Sequence, residues 1–120
     1  MIGGKEISAF VITYNEEDNI GACLNSARWA DEIVVVDSFS EDRTVQIARR
    51  HTDRVIQREF PGFIAQFRYA CEQTTCPWVL WLDADERFTP EALEQVRQIF
   101  EQPGDPEHKG FAFPRKTFFM

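Results

Sequence analysis

Three acidic side chains follow directly on an apolar stretch near the middle of the chain. Residues 78–82 read "WVLWL", and Asp83, Asp85 and Glu86 come next. Two carboxylates about 4 Å apart repel by roughly 4 kcal/mol at an effective dielectric near 20. A bound cation relieves that repulsion, and hard carboxylate oxygens suit Mg²⁺ or Mn²⁺. The pattern therefore predicts a divalent metal site at Asp83 and Asp85, although acids preceding a helix would leave the same trace.

Two further polar segments follow apolar stretches, and their chemistry suits a nucleoside. They read "TYNEED" (13–18) and "DSFSED" (37–42). Tyr14 offers an aromatic face, and Asn15, Glu16 and Asp37 offer hydrogen-bonding groups for a base edge or a ribose. The chain has neither GxGxxG nor GxxxxGK[ST], which argues against a dehydrogenase and a P-loop NTPase.

The elements that must position these residues alternate between two kinds. Short segments rich in β-branched and aromatic residues predict strands, whereas residues spaced three and four apart predict helices between them. The strands are predicted at 7–13, 32–37, 54–59 and 77–83, with a fifth at 111–114. Such alternation is typical of an α/β, Rossmann-like fold with a mainly parallel sheet and helices on both faces. A sheet order of 3-2-1-4 would bring the three polar segments to one crevice at the carboxyl ends of the strands.

Helix starts are also visible, and they offer a plainer explanation for some of the polar residues. Asn15 with Asp18 resembles a capping box, Ser40 is a candidate N-cap before a helix at 42–50, and Thr89 precedes Pro90 as a cap does. Capping and ligand binding are compatible roles for these side chains.

Composition narrows the classes of protein. The chain has 120 residues, which predicts one domain spanning 1–120, and its formal net charge is −7. That charge argues against nucleic acid as a partner. Three cysteines, without a secretory signal, predict reduced thiols and a cytoplasmic location. No apolar run reaches the ~20 residues of a membrane-spanning helix.

The motifs "VITYNEEDNI", "IVVVDSFSEDRT" and "WVLWLDADE" resemble the nucleotide-binding part of family 2 glycosyltransferases with the GT-A fold. The segment "GFIAQFRYACEQT" is similar to the subgroup that adds sugars to lipopolysaccharide cores. The resemblance implies roles for particular residues. Thr13, Tyr14, Asn15 and Glu16 would line the nucleotide pocket, Asp37 with Ser38 would contact uracil or ribose, Arg68 would reach the phosphates or sugar, Asp83 and its neighbour Ala84 would touch the ribose or sugar, and Asp85 would hold Mg²⁺ or Mn²⁺.

The implied activity is metal-dependent, inverting transfer of a sugar from a nucleotide-diphosphate donor, with a UDP-sugar favoured, to a glycan or a lipid-linked saccharide. Members of this family take their general base from a loop well beyond the acidic motif. We therefore expect the base beyond Met120 and interpret the chain as the N-terminal, donor-binding part of a longer enzyme, with a C-terminally incomplete fold. The segment "FPRKTFF" (113–119) mixes basic and aromatic residues as a segment at the inner face of the plasma membrane does, although a core strand explains it as well.

Two other functions fit parts of the sequence. A non-catalytic nucleotide-sugar-binding domain needs no general base. A receiver-like signalling domain also places acids and Mg²⁺ at the carboxyl edge of a sheet, but it requires an aspartate after the third strand, where this chain has Glu59 and Phe60. The sequence does not determine the oligomeric state.

Overall fold

The structure, a computed structural model of the chain, describes residues 1–101 and the strand at 112–114. Strands and helices alternate along it, as the sequence predicts. The strands are β1 (Ile7–Thr13), β2 (Glu32–Asp37), β3 (Val55–Gln57), β4 (Trp78–Trp81) and β5 (Ala112–Pro114). The helices are α1 (Ile20–Ser26), α2 (Thr44–Ala48), α3 (Phe63–Gln73) and α4 (Pro90–Phe100).

The strands form one sheet in the order β3-β2-β1-β4-β5. The first four are parallel, and β5 pairs antiparallel with β4. The predicted order 3-2-1-4 and the predicted fifth strand are therefore confirmed. A receiver-like domain does not fit, because sheets of that type run 2-1-3-4-5.

Apolar side chains alternate between the two faces of the sheet, and each face has its own core. Ile7, Ala9 and Val11 of β1 pack in one cluster with residues of α1, α2 and α4. Phe10 points to the other face, where it packs with Ala70 and Cys71 of α3. Because helices cover both faces, β2 has no polar side: Ile33 to Val36 are all buried.

Two of the three predicted helix caps are wrong. The residue that precedes α1 is Asn19 and the one that precedes α2 is Arg43, and neither makes a side-chain cap hydrogen bond. The helix predicted at 42–50 begins only at Thr44, because the Asp42 carboxylate accepts hydrogen bonds from the Thr44 backbone and hydroxyl. The Thr89 cap is confirmed, since its hydroxyl accepts a bond of 3.1 Å from Ala92 N.

Candidate donor-binding site

The three polar segments meet at one edge of the sheet. Thr13 and Asp37, the last residues of β1 and β2, are register partners. On the other side of β1, Phe10 is paired with Trp81 at the end of β4, and Leu82 N donates to Phe10 O at 3.2 Å. Parallel strands point their carboxyl ends the same way, so the turns that follow β1, β2 and β4 share one rim.

Hydrogen bonds through Asn15 join the turns after β1 and β2, and we call this set of bonds the latch. Its backbone N–H donates to Ser40 Oγ at 2.7 Å, and its side-chain Oδ1 accepts from Glu41 N at 2.8 Å. Asn15 has a φ of +50°, a left-handed conformation that asparagine tolerates better than most residues do. Asn15 thus joins two turns 25 residues apart, where the sequence had indicated a local helix cap.

The latch also includes hydrogen bonds made by the two residues that follow Asn15. Glu16 N donates to Thr44 Oγ1 at 2.8 Å, and Glu17 N donates to Asp42 Oδ2 at 3.2 Å. The Glu16 carboxylate accepts from Asn19 Nδ2 at 3.0 Å. These bonds tie the segment that precedes α1 to the segment that precedes α2.

Asp37 is completely buried at the base of the rim. Its carboxylate accepts hydrogen bonds from the backbone and the hydroxyl of Ser40, and Gln57 Nε2 lies 3.5 Å away. The Ser40 hydroxyl therefore links Asp37 to Asn15, and the candidate N-cap is part of the latch. The role of Asp37 toward a ligand stays a prediction.

A small, mainly apolar pocket of about 380 Å³ opens beside the latch and is lined by Tyr14, Ser38 and Phe60. The rings of Tyr14 and Phe60 are more than half exposed, at 53% and 55%. The sequence had indicated Tyr14 and Ser38, but it passed over Phe60 because the turn after β3 lacks polar chemistry. The signal available was its position, since Phe60 also follows the carboxyl end of a parallel strand.

The acidic turn after β4 carries closely spaced negative charge. Asp83 N donates to Glu86 Oε1 at 2.9 Å, and Glu86 N donates back to Asp83 O at the same distance. Partial burial, followed by the charges of Glu86 and Asp85, raises the pKa of Asp83. Residues 1–101 contain no cluster of three His, Cys, Asp or Glu side chains that could by itself hold a metal ion. Asp83 and Asp85 still fit Mg²⁺ or Mn²⁺, because Mg²⁺ usually takes one or two carboxylates and completes its shell with waters and phosphate oxygens.

The acidic turn is held against α1. Cys23 Sγ donates to Asp83 O at 3.4 Å, and Phe88 N donates to Ser26 Oγ at 2.8 Å. Burial and the neighbouring carboxylates raise the pKa of Cys23 to about 12, so its thiol stays protonated and can donate. Ala84 points into the apolar core. The turn is therefore a fixed feature, with Asp85 exposed at its tip.

Two other predicted site residues, Arg68 and Thr13, are not in the lining of the Tyr14 pocket. Arg68 is on an exposed part of α3 and lines a separate groove of about 700 Å³ with Arg58 and Tyr69. Thr13 Oγ1 is buried and makes no hydrogen bond with the residues that the structure describes. Their contacts with a donor remain predictions.

The chain matches a known family along most of its length. The model of "Glycosyl transferase family 2" matches residues 8–106. The lipopolysaccharide core biosynthesis glycosyltransferase LpsC of Rhizobium meliloti is 38% identical over an alignment that covers 100% of this chain and 46% of LpsC. Several glycosyltransferases of Rickettsia species match as well, and the chain spans only about a third of their length.

Solved structures show the same architecture. TarS of S. aureus superposes with a TM-score of 0.67 at 31% identity, covering 80% of this chain and 32% of that one. Glucosyl-3-phosphoglycerate synthase from Mycobacterium tuberculosis, solved with Mn²⁺, UDP and glucosyl-3-phosphoglycerate, gives a TM-score of 0.60 at 28% identity and covers 68% of this chain and 34% of that one. The predicted GT-A fold is confirmed by these likenesses.

Proposed function

The chain belongs to glycosyl transferase family 2, and on that premise we propose that it binds the nucleotide-diphosphate sugar of a metal-dependent, inverting glycosyl transfer. The observation that carries the proposal is the shared rim. It brings an aromatic pocket, a latched pair of polar turns and an acidic turn to the carboxyl ends of neighbouring strands. Because the chain spans about a third of its matched relatives, the activity of the whole protein is part of the proposal.

The aromatic pocket receives the base in this proposal. Tyr14 and Phe60 supply two aromatic rings to its lining, and Ser38 supplies a polar group. Stacking of a base on an aromatic side chain contributes about 1–3 kcal/mol. We favour uridine, and the synthase from Mycobacterium tuberculosis solved with UDP supports that preference.

The acidic turn faces the diphosphate. Asp85, with Asp83, would hold Mg²⁺ or Mn²⁺, and the synthase solved with each of these ions and UDP supports that assignment. A divalent cation held there would neutralise charge that develops on the departing diphosphate. The residues of the turn contribute a fixed position, because the bonds to Cys23 and Ser26 hold the backbone on both sides of Asp85.

The acceptor is a glycan or a lipid-linked saccharide, and the similarity to LpsC favours a lipopolysaccharide core. Three buried cysteines, none of which forms a disulfide, support a cytoplasmic location. Contact with the inner face of the plasma membrane is part of the same proposal. No helix in residues 1–101 is long and apolar enough to cross a bilayer, and residues 115–119 of the basic and aromatic segment lie outside those described. No residue of this chain is assigned as the general base.

Titration calorimetry of the purified protein with UDP, in Mn²⁺ and in EDTA, tests the proposal. We expect binding in Mn²⁺, loss of at least about ten-fold in affinity in EDTA, and a similar loss in Asp85→Ala. Asp53→Ala is the matched control, because Asp53 is an exposed aspartate near the amino end of β3. Equal binding in EDTA would overturn the metal assignment. Turnover of a UDP-sugar with an acceptor then separates an enzyme from a non-catalytic binding domain.

A further inference from the structure

We propose that Gln66 is a positioning residue that sets the direction of the Ser38 hydrogen bond and so selects a base with a carbonyl, as in uracil, over one with an amino group, as in cytosine. This inference rests on the proposed function, because it takes the Tyr14, Ser38 and Phe60 pocket as the base site. It adds a specificity device that lies one layer below the pocket wall.

Arg58 fixes the orientation of the Gln66 amide. Arg58 Nη1 donates to Gln66 Oε1 at 3.2 Å. A guanidinium has only donors, so the group that faces it must be the amide oxygen. Arg58 is itself held in place, with its guanidinium carbon 4.1 Å from the centre of the Tyr69 ring. The amide oxygen therefore faces Arg58, and the amide nitrogen faces the opposite way.

Gln66 in turn makes the Ser38 hydroxyl oxygen a hydrogen-bond acceptor. Gln66 Nε2 donates to Ser38 Oγ at 3.3 Å. Gln66 is completely buried, so water cannot stabilise the flipped amide, which would direct its NH₂ group at a guanidinium. Ser38 Oγ is consequently the acceptor in this pair, and its own proton points to another partner.

The hydroxyl proton of Ser38 needs a partner, and a ligand in the base pocket can supply one. In the described part of the chain, the Ser38 hydroxyl makes no hydrogen bond as a donor, and Ser38 lines the base pocket. The proton is thus available to a ligand. The 4-position of uracil, like that of thymine, presents an accepting oxygen, whereas cytosine presents an NH₂ donor at the same place. A donating Ser38 matches the first. With the second, Ser38 Oγ has to accept the NH₂ proton through its one remaining lone pair, and its own proton is then left without a partner in the mainly apolar pocket.

The test compares UDP with CDP by titration calorimetry in Mn²⁺. The wild-type protein should prefer UDP by about ten-fold, which is the effect of one hydrogen bond made against one left unmade. Gln66→Glu nearly preserves shape, and its second carboxylate oxygen accepts the Ser38 proton while the first faces Arg58. Ser38 then offers a lone pair to the base, and the UDP preference should fall to about two-fold or reverse.

Two further variants keep the result decisive. Ser38→Ala removes the donor without adding charge and should also abolish the preference, so it decides the matter if Gln66→Glu does not fold. Gln98→Glu makes the same chemical change at an exposed site on α4 and should leave the UDP to CDP ratio unchanged.

The outcomes distinguish this inference from the proposed function. A preference for UDP that survives in both Gln66→Glu and Ser38→Ala overturns the inference alone. Equal weakening of UDP and CDP also overturns it, since that result places Ser38 against the ribose. A wild-type protein that binds neither nucleotide overturns the proposed function and the inference with it.

Discussion

Replacing Asn15 tests the latch between the two turns that carry the base pocket. Asn15→Ala removes the acceptor of the 2.8 Å bond from Glu41 N. It also places alanine, whose side chain makes no hydrogen bonds, at a φ of +50°. Losing the bond costs about 1 kcal/mol. Holding alanine in the left-handed region costs at least about 1 kcal/mol more. The free energy of unfolding should therefore fall by about 2 kcal/mol.

Asn15→Gly separates the two contributions. Glycine also lacks the acceptor, but it adopts positive φ without a steric penalty, so this variant should lose about 1 kcal/mol. Urea denaturation followed by circular dichroism measures both. With a slope near 2 kcal/mol per molar urea, the midpoint should move down by about 1 M for alanine and about 0.5 M for glycine.

Asn25 supplies the control, because it is an exposed residue inside α1. In a helix alanine is more favourable than glycine by about 1 kcal/mol, so the order of the two variants should be reversed there. An Asn15→Ala variant that is as stable as Asn15→Gly, or more stable, would refute the reasoning about the left-handed turn. Unchanged stability in both would show that the latch contributes nothing.

Two further predictions concern the base pocket and the packing of the N-terminus. Phe60→Ala and Tyr14→Ala should each weaken UDP binding by about ten-fold, because each removes a ring on which the base stacks, whereas Tyr14→Phe should retain affinity. Unchanged affinity in both alanine variants would show that the base does not bind in this pocket. Gly3→Ala should lower the urea midpoint much more than Gly4→Ala, because a Cβ at Gly3 would lie 1.9 Å from Phe100 O whereas one at Gly4 has no atom within 4 Å. Both glycines have positive φ, so the difference between them isolates the clash, and similar midpoints would contradict it.

Several features of this protein follow from short stretches of sequence. The strands and helices are visible in the spacing of apolar residues, because alternation and helical periodicity are local properties. The sheet order followed from asking which arrangement unites three polar segments. The Thr89 cap was also correct, since the bond from Ala92 N lies within one helical turn.

The predictions that failed concerned side chains with distant partners. Ser40 and Asn15 have the residue types of caps, but their hydrogen bonds cross between turns 25 and 26 residues apart. Phe60 lies in a turn without polar chemistry in the sequence, and only the fold brings it to the same pocket as Tyr14. Gln66 was one of many polar residues on a helix.

The sequence by itself determined the elements and the chemistry available at their ends, and the order of the strands was a hypothesis that the structure confirmed. Only the tertiary structure decided which of those groups face a ligand and which are already satisfied by another turn. The physical reason is that a hydrogen-bonding side chain has the same local signature whichever partner it finds. Its partner depends on how the helices and the sheet pack, and that packing involves residues far apart in the chain.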